Sequence, residues 1–189
     1  MKMFRLLTPV LIVAGVIGIS SLQSCTKLAK NLQYDLSMQM GTVQVTVPVT
    51  NDTAIAVSAS QANYYNVDSF IKANTANVLG IANITSVKIT SCTISIDSPV
   101  NNELNNFANF RSVTASVYSN SNTTPFTLSI PNNPDVMSST LTLPVDSTEL
   151  KGYMTGTTFT YSVTGKLRRP VTTPVHCTVH FTYSMHVQG

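Results

Sequence analysis

The stretch that most constrains the fold is the last one. Val175, Cys177, Val179, Phe181, Tyr183, Met185 and Val187 alternate with His176, Thr178, His180, Thr182, Ser184 and His186. Successive side chains of a strand point to opposite faces, so a period of two spells one buried face and one wet face. A helix would scatter the same seven apolar residues around its circumference. The period recurs along the chain. Val43, Val45, Val47 and Val49 alternate with Thr42, Gln44, Thr46 and Pro48, Asn51-Asp52 signals a turn, and 54–59 reads as the return strand. Residues 87–96 form a further strand whose apolar phase shifts between Ile89 and Ile94, which calls for a bulge. Strands over 112–118, 126–130, 139–143 and 159–167 continue the series.

Many short strands separated by Asn, Pro, Gly and Ser turns describe an all-β chain. The expected fold is a mainly antiparallel β-sandwich, immunoglobulin-like or jelly-roll-like, with one or two short helices. Asp68 is placed to cap a helix running to about Leu79, and Asp146 or Ser147 to cap a turn or two ending near Met154. Both interruptions carry Asp-Ser and then a lysine (Asp68, Ser69, Lys72; Asp146, Ser147, Lys151). Each follows two strands and precedes another, so a strand–strand–helix–strand duplication is suggested. Residues 100–110 are Asn-rich and read as a long loop pinned to the core by Leu104, Phe107 and Phe110.

The first 25 residues are of another kind. Lys2 and Arg5 precede a nearly unbroken apolar run from Leu6 to Ile19, and no acidic residue occurs before Asp35. A run of about 14 residues is short of the roughly 20 that a spanning helix needs, but it suits the apolar region of an export signal. Leu22-Gln23-Ser24-Cys25 follows it and resembles the lipobox of bacterial lipoproteins: an aliphatic residue three before the cysteine and a small one directly before it. That resemblance implies cleavage before Cys25, a diacylglyceryl group on its thiol and acylation of its amine. Two or three acyl chains, at about 0.8 kcal/mol per buried methylene, hold a protein stably on a membrane without spanning it.

Thr26 stands where inner-membrane retention in enteric bacteria uses an aspartate, so the resemblance implies the outer membrane. Surface-exposed lipoproteins of the Bacteroidetes resemble one another in an acidic cluster after the cysteine. Here the tether, Thr26-Lys27-Leu28-Ala29-Lys30-Asn31, is basic, which points to the periplasmic leaflet. A lipobox followed by a Thr- and Asn-rich β domain is similar to Bacteroidetes envelope lipoproteins in general layout, and that similarity brings no activity with it. The expected organisation is a signal over 1–24, a lipidated N-terminus and tether over 25–36, and one sandwich domain over 37–189.

Of 11 lysines and arginines, Lys2 and Arg5 belong to the signal, leaving nine basic against eight acidic residues. A net charge near +1 and few exposed aromatics exclude nucleic acid as a partner. With Cys25 lipidated, Cys92 and Cys177 form an even pair in an oxidising compartment, a candidate disulfide. The alternative is two separate buried thiols.

The search for chemistry yields little. His176, His180 and His186 share the even face of the last strand. At about 3.3 Å per residue the first two lie about 13 Å apart, too far for one metal ion, so no metal or other cofactor is expected. No nucleophile elbow, His-Glu-x-x-His or glycine-rich phosphate loop occurs. Most aspartates sit at turns or caps, and Glu103 and Glu149 form no evident acid–base pair, so the chain is not expected to be an enzyme. Lys166, Arg168 and Arg169 form the one dense basic cluster, a candidate anion site because guanidinium forks fit oxyanions. Asp52-Thr53-Ala54 and Asp146-Ser147-Thr148 resemble the motif O-glycosylated on exported Bacteroidetes proteins, which would place sugar on Thr53 and Ser147.

Two functional classes follow. The first is a membrane-anchored, non-enzymatic accessory subunit that binds another envelope protein. The second is a glycan- or lipid-binding lipoprotein; Trp is absent, and Tyr64-Tyr65 is the adjacent aromatic pair available for a sugar. Labelled palmitate should be incorporated by the wild-type chain and lost on Cys25→Ala; incorporation that survives the substitution would refute the lipobox reading.

Overall fold

A computed structural model describes residues 32–98 and 105–189. The described residues form eight strands: β1 (Gln33–Val47), β2 (Ala56–Tyr64), β3 (Ile84–Ser98), β4 (Phe110–Ser119), β5 (Phe126–Ile130), β6 (Thr140–Leu143), β7 (Thr158–Leu167) and β8 (Val175–Gln188). One helix, α1 (Val67–Asn74), precedes β3, and single 3-10 turns lie at Ile81–Asn83, Phe107–Asn109 and Lys151–Tyr153. No helix among the described residues is long and apolar enough to cross a membrane. Cys25, the signal and residues 26–31 lie outside the described residues, as do Glu103 and Leu104 of the Asn-rich loop.

All strand pairs are antiparallel, and the strands divide into two four-stranded sheets ordered β1-β8-β3-β6 and β2-β7-β4-β5. The fold is an all-β sandwich, and this strand order makes it a double-sheet jelly roll. Adding four to every strand number, cyclically, turns one sheet's order into the other's. The same operation exchanges the β2–β3 connection, which holds α1, with the β6–β7 connection, which holds the 3-10 turn Lys151–Tyr153. The strand–strand–helix–strand repeat seen in the sequence thus coincides with a symmetry of the topology.

β8 lies between β1 and β3 and sets the core. All seven of its odd-numbered residues are at most 3 % exposed, as the alternation required. The bulge expected in β3 is present: the register shifts between Ile89 and Ser91, so Val87 and Ile89 face the core before it and Cys92, Ile94 and Ile96 after it.

Three expectations change. β1 begins at Gln33, so residues 33–36, expected as tether, pair with the end of β8 from Gln33↔Gln188 onward. β2 does not return beside β1; its partner is β7 in the other sheet, and the 48–55 connection crosses between layers. The helix is also shorter. Asn66, not Asp68, caps α1 by accepting from the Ser69 N–H at 2.9 Å. The chain leaves the helix through Ala76 and Asn77, both at positive φ, before Leu79 is reached. Asp68 instead pairs with Lys72 at 2.6 Å and accepts from the Ile81 N–H at 2.9 Å.

Gly165 on β7 sits directly against a ring of the core. A Cβ there would lie 2.8 Å from Cδ1 of Phe110, a buried ring tilted against Phe107 with centroids 5.9 Å apart. Gly165→Ala should therefore destabilise the domain by about 1–3 kcal/mol, the usual cost of overpacking. A lower urea midpoint with unchanged m-value would show it.

Candidate functional site

Strand direction alternates, so the connections separate by end. The β1 start, the β8 end, α1 and the 144–157 connection share one end; the 48–55, 131–139 and 168–174 connections share the other. Three groups of residues merit description: the basic cluster at the loop end, the outer face of β8, and a cleft on the flank.

The basic cluster is committed internally. Arg168 donates to the Ala108 and Asn133 carbonyls, each at 2.6 Å. Arg169 grips Asp135 through both its terminal nitrogens, at 2.8 and 2.7 Å, and also donates to Ala108 O. Asp135 is held below the usual carboxylate range, first by that hydrogen bond and further by the charges of both arginines. Asn133, buried, donates to the Phe107 and Phe110 carbonyls at 2.7 and 3.0 Å, and Asn105 donates to Thr173 Oγ1 at 2.7 Å. The expected anion forks are thus spent on tying the loops together, and only Lys166 projects freely into solvent. The buried rings of Phe107 and Phe110 anchor their end of the Asn-rich loop.

The histidines occupy the outer face of β8, as their parity required. His176 meets Thr46 Oγ1 at 3.0 Å, and His186 Nδ1 meets Asp35 Oδ1 at 2.7 Å across the β1 pairing. The described residues hold no group of three or more His, Cys, Asp or Glu placed to bind a metal.

Cys92 and Cys177 face the core as free thiols, and the candidate disulfide is absent. Register gives the reason: Cys92 lies opposite Phe181, whereas Cys177 lies opposite Ile96. Four residues of β8 separate the two levels, about 13 Å along the strand, where a disulfide needs Cα atoms within about 7 Å. Burial pushes both thiols up to about 12, Asp97 contributing at Cys177, so neither is a ready nucleophile. Thr53 and Ser147 stand exposed in connections whose aspartates make local turns, Asp52 accepting from Ala54 N and Asp146 from Thr148 N.

The cleft, of about 220 Å³, opens where the free edges of β1 and β2 lie alongside each other. Met40, Phe159 and Tyr161 make its floor, all three buried. Thr42, Asn63, Tyr64 and Tyr65 line the remainder, and Tyr64 is 71 % exposed. Tyr65 is fixed by Phe70 of α1, ring centroids 6.3 Å apart, and by its N–H donating to Thr157 O at 2.8 Å. Tyr161 donates its hydroxyl to Met40 Sδ at 3.2 Å, which holds the floor together. Above the cleft Gln61 reaches across and accepts from the Gln44 N–H at 3.0 Å. A second, apolar gap beside Val45, Val57, Phe110 and Val163 amounts to about 20 Å³, room for no more than a water-sized guest. Sequence reasoning singled out Tyr64-Tyr65 but not Thr42, Asn63 or Tyr161, which reach the cleft from three different strands.

No family model and no curated protein matches the chain. Among solved structures it is similar in shape to a candidate secreted protein from Eubacterium rectale, at 15 % identity and a TM-score of 0.48, over 84 % of this chain and 41 % of that one. It is also similar to the decameric BFDV capsid protein (8 % identity, TM-score 0.39, 84 % of this chain and 100 % of that one). A turnip yellow mosaic virus structure compares at 13 % identity and a TM-score of 0.31, over 84 % and 82 %. The jelly-roll assignment rests on this chain's own strand order and owes nothing to these likenesses.

Glu149, free of any role in the sequence, holds the 3-10 turn to β3. It accepts from Ser86 Oγ at 2.6 Å, Val87 N at 2.7 Å and Lys151 N at 2.9 Å. Partial desolvation raises its pKa, but these three bonds outweigh it and hold the carboxyl below its ordinary value. A depressed folded pKa stabilises above the unfolded value of about 4.3, and that stability is lost as pH falls through the folded pKa. Glu149→Gln should therefore flatten the fall in stability as pH drops below about 5; an unchanged acid limb by denaturant titration would contradict it.

Proposed function

We propose that the chain is a lipid-anchored, non-enzymatic envelope lipoprotein on the periplasmic face of the outer membrane, presenting the loop end of its sandwich to another envelope protein. The observation that carries this reading is the separation of the two ends. β1 starts at Gln33, eight residues after Cys25, so the lipidated cysteine lies within about 28 Å of that end. β1 then runs about 45 Å to the far end, where the loops gather. Four large apolar side chains are left exposed there: Val49, Ile55, Val136 and Met137. Single exposed apolar residues are ordinary, but here they come in pairs, Val49 and Ile55 at the β1–β2 flank and Val136 and Met137 at the β5–β6 flank, with the 168–174 connection between them, and such an end offers apolar contacts to a protein partner. The Arg168–Arg169–Asp135 network and buried Asn133 stiffen those loops, which lowers the ordering cost of binding. The acidic groups Asp68, Asp135 and Glu149 are engaged in structural pairs, which favours a binding role over a catalytic one.

Photo-crosslinkers at Val136 and Met137 of the full lipidated chain, activated in intact envelopes, should give one discrete protein adduct. A crosslinker at Lys151, on the anchored end, should not give it. Equal adducts from both ends, or none from the loop end, would reject this reading.

A further inference from the structure

We infer that the flank cleft between β1 and β2 is a carbohydrate-binding site for one unit of a neutral glycan, a site separate from the loop end discussed above. Three features of its lining select that ligand class. No charged side chain lines it: the seven residues are Met40, Thr42, Asn63, Tyr64, Tyr65, Phe159 and Tyr161. A phosphate, sialic acid or uronic acid would enter without a cation to meet it, so the ligand is neutral. The polar groups offered are hydroxyl and amide, and an Asn side chain presents two donors and an acceptor to vicinal hydroxyls. The remaining lining is aromatic and apolar, and aromatic side chains combine apolar area with a polar handle, suiting a ligand with one C–H face and many hydroxyls.

Backbone geometry adds to this. The Gln44 N–H points away from β8 towards Gln61. Backbone polar groups of a strand repeat their direction every second residue, so the Thr42 N–H and C=O point across the same flank, at the cleft. Size sets the ligand's extent. About 220 Å³ lies below the roughly 300–1,000 Å³ of sites for drug-sized molecules, and fits a monosaccharide-sized unit. An extended peptide adding to the β1 edge is the competing occupant, but the Gln61 side chain already occupies that edge at Gln44 and breaks the continuous ladder such a peptide needs. The cleft is also preorganised: Phe70 fixes Tyr65 and Met40 fixes the Tyr161 hydroxyl.

The test uses the full mature chain in detergent, screened on an array of neutral and acidic glycans. The strongest neutral binder is then titrated while backbone amide shifts are followed. Shifts should concentrate at Thr42, Asn63, Tyr64 and Tyr65. Asn63→Ala and Tyr64→Ala should each weaken binding by about tenfold or more while leaving the thermal midpoint near wild type; Tyr64 is largely exposed, so its truncation spares the core. Preference for acidic glycans, shifts confined to the loop end, unchanged affinity in both variants, or the same amides moved by a neutral extended peptide and by no glycan would each overturn the assignment.

Discussion

The structure depends on β8 remaining regular while both neighbours adjust to it. β8 pairs with β1 and β3 along nearly all of its length. A slip of one residue would turn its seven buried side chains to solvent and its histidines into the core, so its register is strongly fixed. Yet both partners carry an extra residue at the same level of β8. β1 passes from Gln39↔Thr182 to Thr42↔His180, and β3 from Ile89↔Tyr183 to Ser91↔Thr182. That level also holds the largest aromatic group of the core, with Phe181 5.1 Å from Tyr161 and 6.4 Å from Tyr183 between ring centroids. Bulges bend and twist the strands that hold them, and here they wrap the sheet around that aromatic waist. The cost is a change of phase: β1 buries Met38 and Met40 before the bulge, and Val43 and Val45 after it.

The same bulge shapes the flank. Met40 and Thr42 stand on either side of Gly41 and both line the cleft, one on the floor and one above it. Without the extra residue the β1 edge would run straight past β2. An edge strand is also a hazard, because its unpaired backbone groups invite another chain. Bulging the strand and covering Gln44 with Gln61 blunt that edge, so one local irregularity serves core packing, edge protection and the cleft.

The alternation in the sequence located the strands, though not all of their ends, and was insufficient for whatever depends on partners. β5 and β8 begin where their apolar pattern begins, and the Ile89–Ile94 phase shift was readable because apolar residues flank it on both sides. The start of β1 was missed although Tyr34, Leu36, Met38 and Met40 alternate cleanly, because Gly41 breaks the phase and makes the two halves look unrelated. The strand read at 54–59 is β2 (Ala56–Tyr64), but alternation names a strand and not its neighbour, and β2 joins the other sheet. Asn66 and Asp68 can each cap a helix; the difference lay in Ile81, which claims the Asp68 carboxylate from thirteen residues away. Arg168 and Arg169 looked free for the same reason, since Asp135 and Asn133 are distant in sequence. Cys92 and Cys177 share an inward face, and only the register, four residues out of step, keeps them apart.

The division between the end where β1 starts and the loop end follows from connectivity and not from any one residue. In an antiparallel sandwich the odd strands run one way and the even strands return, so every odd-to-even connection falls opposite the chain's start. The start of β1 therefore sets β1–β2, β5–β6 and β7–β8 at the far end automatically. Loop closure costs only about 0.6 kcal/mol for each doubling of length, so those connections can vary with little penalty, provided something holds them. In this chain that is the guanidinium network and the buried Asn133. The connections at the end where β1 starts are organised differently, with α1 capped by Asn66 and the 3-10 turn bolted to β3 through Glu149. Structured connections at one end and braced irregular loops at the other are the asymmetry on which the proposed anchoring and partner binding rest.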